Sequence, residues 1–194
     1  MVSVLQGEHI LLHLERFLGV SKKRWLCPGD ESPFQVLLFP ECPDSSSQCL
    51  VTYGLSAHQL RIMGKNDSVI QVELIICADS LFDPKVLAAS LIAVGLDAIR
   101  KNAIPTVHEV LLGEGAVSSN PVFEHLYLTF PGFFSPEFEL CETVSPPVAI
   151  VQLIPISTNE KKLIAKRGWR VFEEGLAKQD IDLFKFDQRK ELAF

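Results

Sequence analysis

His9 and His13 stand four residues apart, so on a helix they share one face. A zinc pair at that spacing needs Glu directly after the first His and a third ligand, and Ile10 holds the Glu position. Surface histidines explain the pair as simply, and His58, His108 and His125 stand alone. Gly113-Glu114-Gly115 reads as a turn, because no further Gly and no Lys-Ser/Thr pair follow to cradle a phosphate. Gly54-Leu55-Ser56 does not complete the glycine spacing of a nucleophile elbow. A hydrolase would need Ser56 or Ser157 within reach of a His and an orienting acid, and no spacing suggests that. Ser157-Thr158-Asn159-Glu160 has a structural reading: it fits a capping box, in which Ser157 and Glu160 serve each other's backbone amides, with Pro155 fixing the entry. None of these patterns calls for a metal or a cofactor.

Composition on its own indicates a soluble globular domain and no more. The chain has 194 residues, 47% of them hydrophobic, which fits one domain spanning 1–194 with a core that needs no disulfide or metal. Cys27, Cys42, Cys49, Cys77 and Cys141 are odd in number and form no C-x-x-C pair, so reduced buried thiols are expected. Met1 to Leu14 lacks the basic and apolar regions of a signal peptide, and the apolar run Val86 to Leu96 is too short to span a bilayer. The expectation is a cytoplasmic protein with no membrane partner. The net charge of −6 argues against nucleic acid.

The charge is uneven. No Lys or Arg occurs from Asn102 through Glu160, a stretch with seven glutamates: Glu109, Glu114, Glu124, Glu137, Glu139, Glu142 and Glu160. The last helix carries Lys161, Lys162, Lys166, Arg167, Arg170 and Lys178. Inside the acidic stretch, Phe133, Phe134, Glu137, Phe138 and Glu139 combine aromatic anchors with negative charge. They are expected either to face a basic partner or to fill the core under a hairpin.

The elements that must position these residues follow from periodicity. Val4 to Leu18 reads as an amphipathic helix, followed by a basic turn at Lys22, Lys23 and Arg24. Strands are expected at 34–39, 49–56 and 68–78, the last of them central, with a hairpin turn at 64–67. Asp83 and Pro84 start a largely buried helix that runs to about Lys101. Four strands follow at 107–112, 122–130, 137–143 and 148–156, then a helix at 158–178 and a mixed tail. About seven strands and three helices make an α+β fold with a mixed, largely antiparallel sheet.

Four motifs recur in order: Thr52-Tyr53-Gly54-Leu55-Ser56, then Val72-Glu73-Leu74 with Ala78, then Pro155-Ile156-Ser157 with Glu160 and Gly168, and finally Asp187 and Arg189. Together they resemble the suppressor of fused domain family, from about Phe34 to Arg189. The resemblance implies an α/β sandwich and a binding protein, not an enzyme. Animal members restrain a transcription factor in Hedgehog signalling and carry a second domain, for which this chain has no room. Its size resembles the stand-alone bacterial members, which are similar to immunity proteins that neutralise a cognate toxin. Regulator or scaffold is the second reading, and hydrolase the weakest. Tyr53, Gly54, Ser56, Glu73, Pro155, Ser157, Glu160, Asp187 and Arg189 are the family-motif positions. Glu73 lies inside an apolar strand. Either Glu73 or Asp187 pairs with an arginine such as Arg189 or Arg61, or Glu73 faces solvent.

Overall fold

The protein is described by a computed structural model covering residues 4–28, 32–64, 68–111, 122–185 and 188–193. Its elements run α1 (Val4–Leu18), β1 (Lys23–Leu26), β2 (Gln35–Pro40), β3 (Ser47–Tyr53), a 3-10 turn at Leu55–Ala57, β4 (Leu60–Ile62), β5 (Val69–Asp79) and α2 (Pro84–Lys101). They continue with β6 (Ala103–Ile104), β7 (Val110–Leu111), β8 (His125–Thr129), a 3-10 turn at Pro136–Phe138, β9 (Leu140–Cys141), β10 (Val148–Ile156), α3 (Thr158–Arg167) and α4 (Trp169–Lys178).

The longest strand, β5, lies near the middle of a sheet ordered β1-β2-β3-β5-β10-β8-β7. Every neighbouring pair along that path is antiparallel except β5 and β10, which run parallel. A parallel pair needs a crossover, and the chain from α2 to β9 supplies it. Because helices cover both faces, the second half of β5, Leu74 to Ala78, reads as a continuous apolar run. Val72, Leu74, Ile76 and Ala78 pack with Leu87 and Leu91 of α2. Ile75 and Cys77, on the alternate side, share a core with Ile10 and Leu14 of α1. A third core joins Tyr127, Ile154 and Ile156 to Leu163 of α3, Phe172 and Leu176 of α4, and Leu192 of the tail.

Local end signals work as written in the sequence. Asp83 caps α2 by accepting from the Lys85 amide, and Ser157 and Glu160 form the complete capping box of α3. Each such cap is worth about 1 kcal/mol. All five cysteines are free and buried.

The mixed, largely antiparallel sheet and its flanking helices match the expected class, while the element count is higher: ten strands and four helices among the described residues. The basic segment at Lys22–Arg24 is no turn. It enters edge strand β1, where Lys23 and Arg24 stay exposed and the Lys23 ammonium lies 5.0 Å from the Trp25 ring centre. The helix expected at 158–178 is broken by Gly168, whose φ of 87° no L-residue adopts cheaply. The strand expected at 137–143 shrinks to β9, since Pro136 opens a 3-10 turn instead. The strand expected at 107–112 shortens to β7, because His108 takes a left-handed φ of 69°. The 49–56 strand stops at Tyr53 as Gly54 turns the chain. Of the 64–67 turn, residues 65–67 lie outside the described residues.

Close packing sets one test. A Cβ on Gly95 of α2 would lie 2.4 Å from Cζ of the buried Phe34 ring. Overpacking of about 1–3 kcal/mol then exceeds the helix-propensity gain of about 1 kcal/mol. Gly95→Ala is expected to lower the urea midpoint, and Gly95→Ala with Phe34→Leu to recover part of it. An unchanged midpoint for Gly95→Ala would contradict this packing.

Candidate functional site

The family-motif residues gather at two buried carboxylates. Glu73 is fully buried on β5 beside the end of β3. Its Oε1 accepts from the Gly54 amide at 2.9 Å, the Ser56 amide at 3.1 Å and the Ser56 hydroxyl at 2.6 Å. Its Oε2 accepts from the Thr52 hydroxyl at 2.6 Å. Thr52 Oγ1 in turn accepts from the Leu74 amide, which aims its own proton at Glu73. Gly54, at φ 100°, makes this possible by turning the chain so that amides 54 and 56 converge. The arginine partner expected for Glu73 is absent among the described residues: hydroxyls and amides fill every side of the carboxylate. Burial nevertheless pushes its pKa above the ordinary 4.5, with the four hydrogen bonds opposing.

The arginine belongs to the second carboxylate. Arg189 Nη2 meets Glu160 Oε1 at 2.5 Å, with both side chains inaccessible, and Nη1 donates to the Pro155 carbonyl at 2.5 Å. Glu160 also accepts from the Ser157 amide at 2.9 Å and the Leu192 amide at 3.1 Å. The guanidinium carbon lies 4.6 Å from the Phe123 ring centre. Pro155, Ser157, Glu160 and Arg189 thus tie the end of β10, the start of α3 and the C-terminal segment into one knot. Asp187 lies outside the described residues.

Both serines considered as nucleophiles are structural. Ser56 donates to Glu73, and Ser157 Oγ accepts from the Glu160 amide at 3.1 Å. His9 is exposed, and His13 stacks 5.8 Å from Phe138 while bonding its carbonyl. Among the described residues no group of three His, Cys, Asp or Glu is placed to hold a metal.

The aromatic-acidic loop is divided. Phe138, expected at a partner surface, is wholly buried in the α1-side core, because the 3-10 turn folds it inward. Phe134 is half-buried against it, at 4.7 Å between rings. Phe133 and Glu137 are exposed, and Glu139 is intermediate. Phe133 lines a groove of about 460 Å³, walled also by Phe130, Ile154, Leu176 and Leu183. In its lining, Glu173 Oε1 accepts from Tyr127 at 2.9 Å and Thr129 at 3.1 Å, with His108 Nδ1 3.4 Å away. The His108 ring stacks on Trp169 at 3.7 Å. Burial, aided by Glu173, pushes the Tyr127 phenol upward and keeps it a donor. Sequence reading missed this groove. His108 and Glu173 are 65 residues apart and carry no local motif.

Fold and cages together define a polar-stapled α+β domain with an open apolar groove. The family model for suppressor of fused protein (SUFU) matches residues 11–188, and the chain belongs to that family. No curated protein sequence matches it. Solved structures show the same fold. A SUFU homolog from Neisseria gonorrhoeae is 14% identical, with TM-score 0.74 and 97% of each chain covered. The Sufu–Fu complex is 13% identical, with TM-score 0.71, covering 95% of this chain and 91% of that one. Drosophila Suppressor of Fused is 14% identical, with TM-score 0.70, and this chain spans 50% of it.

Glu73→Ala leaves four buried donors unsatisfied and is expected to cost about 3 kcal/mol or more in urea unfolding. A raised folded pKa means the native state holds its proton more tightly. Stability from this group is therefore complete below the ordinary 4.5 and declines as pH climbs from there through the raised value. Unfolding titrations of wild type and Glu73→Gln should diverge in that window, the variant having the flatter slope; parallel curves would contradict the assignment. Glu160→Ala, which strands the buried Arg189 charge, should cost about 3–5 kcal/mol. Glu160→Ala with Arg189→Met should recover part of that loss, and no recovery would show that the two side chains act independently.

Proposed function

We propose that this chain is a non-enzymatic protein-binding domain, acting in the cytoplasm as an immunity protein that neutralises a cognate toxin. The observation that carries the reading is the groove. Phe130 and Phe133 are 44% and 39% exposed at its mouth, inside the stretch that has no Lys or Arg. Exposed aromatics beside negative charge suit a basic protein partner. The structure of the Sufu–Fu complex supports partner binding on this fold, and the match to the Neisseria homolog supports a bacterial setting. The partner-facing set is then Phe133, Phe134, Glu137 and Glu139. A regulator that restrains another cellular protein is the second reading, favoured by the match to Drosophila Suppressor of Fused.

Affinity capture from the native organism identifies the partner, and co-expression growth assays decide its class. A toxin whose lethality this chain relieves is expected; a non-toxic partner would favour regulation. Phe133→Ser with Glu137→Lys should weaken the captured complex by at least about tenfold. Both side chains are exposed, so the melting temperature should hold, and loss of folding instead would return the loop to the core.

A further inference from the structure

Resting on that reading, we propose that the groove is a receptor for one basic side chain of the protein partner, an arginine flanked by apolar residues. Among the described residues, the ionisable side chains lining it are His108, Glu173 and Asp180, with no Lys or Arg. An anionic group would meet two carboxylates there. Glu173 is held in place by two hydroxyls, both on Oε1. Among the described residues no donor reaches Oε2, and the neighbouring cations of α4 are turned to other work. Arg170 lies 5.2 Å from the Trp169 ring centre, and Lys178 lies 3.3 Å from Glu174.

The walls supply the rest of the complement. Phe130 and Phe133 present ring surface, and Phe133 is steadied by Phe184 at 4.5 Å. A guanidinium is planar, stacks on such faces and donates to a carboxylate, while its methylene stem covers apolar surface. A neutral apolar side chain would fill the groove and leave the carboxylate without a donor.

The probes are acetyl-Leu-Arg-Leu-amide, its Gln counterpart and free ethylguanidinium, titrated into the isotope-labelled full chain. The arginine peptide should move the Trp169 indole, Thr129 and Leu176 signals and bind at least about tenfold more tightly than the glutamine peptide. Glu173→Gln, which keeps the Oε1 acceptor, should lower that affinity by about tenfold with the melting temperature unchanged. If Glu173→Gln unfolds, Asp180→Asn at the exposed rim gives the same reading with a smaller drop. Equal binding of the two peptides, or shifts away from the groove, overturns the proposal. Ethylguanidinium binding as tightly as the peptide also overturns it, in favour of a small-molecule site. A captured partner indifferent to Glu173→Gln sinks this inference alone, whereas arginine-peptide binding with no partner captured would sink the functional reading alone.

Discussion

A carboxylate withdrawn from water has to be surrounded by donors, because a buried charge left bare costs several kcal/mol. Two glutamates impose that demand here. Glu73 sits on β5 and Glu160 one turn into the helix that leaves β10, and these are the two strands paired in parallel near the middle of the sheet. Satisfying Glu73 dictates how the chain leaves β3: Thr52 must point inward, Gly54 must take a left-handed angle, and Ser56 must fold back in a 3-10 turn. Satisfying Glu160 dictates how the chain ends, by drawing in Arg189 and the Leu192 amide.

The two solutions differ in kind. Glu73 is met by neutral donors alone, which leaves the burial penalty partly standing and its pKa raised. Glu160 is met by a full charge as well as amides, so the burial penalty is shared with Arg189, whose guanidinium is pulled down by burial and held up by Glu160. The first cage fixes a local turn between neighbouring strands. The second closes contacts 29 and 32 residues apart in sequence, and it anchors the C-terminal segment that packs Leu192 into the third core.

What was legible in the sequence was whatever depends on neighbours in the chain. Asp83-Pro84 at the start of α2, the Ser157–Glu160 box and the apolar run of β5 each declare themselves within a few residues. What stayed hidden depends on distant chain. A basic triplet is a turn or an edge strand according to whether β2 lies beside it, and Lys23 pairs with Leu38. Phe133 and Phe138 are chemically alike, yet Phe133 stays exposed while the 3-10 turn that ends at Phe138 carries that ring into the core. An arginine was expected opposite Glu73 or Asp187, whereas Arg189 meets Glu160, whose capping-box role was the only one its neighbours in the chain declare. The groove residues belong to β8, β10, α4 and the loops around them, so no window of sequence contains the site.

Of the motif positions placed by the structure, Gly54, Ser56, Glu73, Pro155, Ser157, Glu160 and Arg189 serve the two cages. They specify a turn, a cap and a tail anchor, all three of them requirements of folding. Membership of the family therefore secures the scaffold and says little about what its surface meets. The groove follows the opposite logic. Its exposed rings contribute little that the fold requires, and Phe130 and Phe133 leave apolar area in water that a core would have hidden. Residues that a fold does not need, held rigidly by residues that it does, are where specificity for a partner resides.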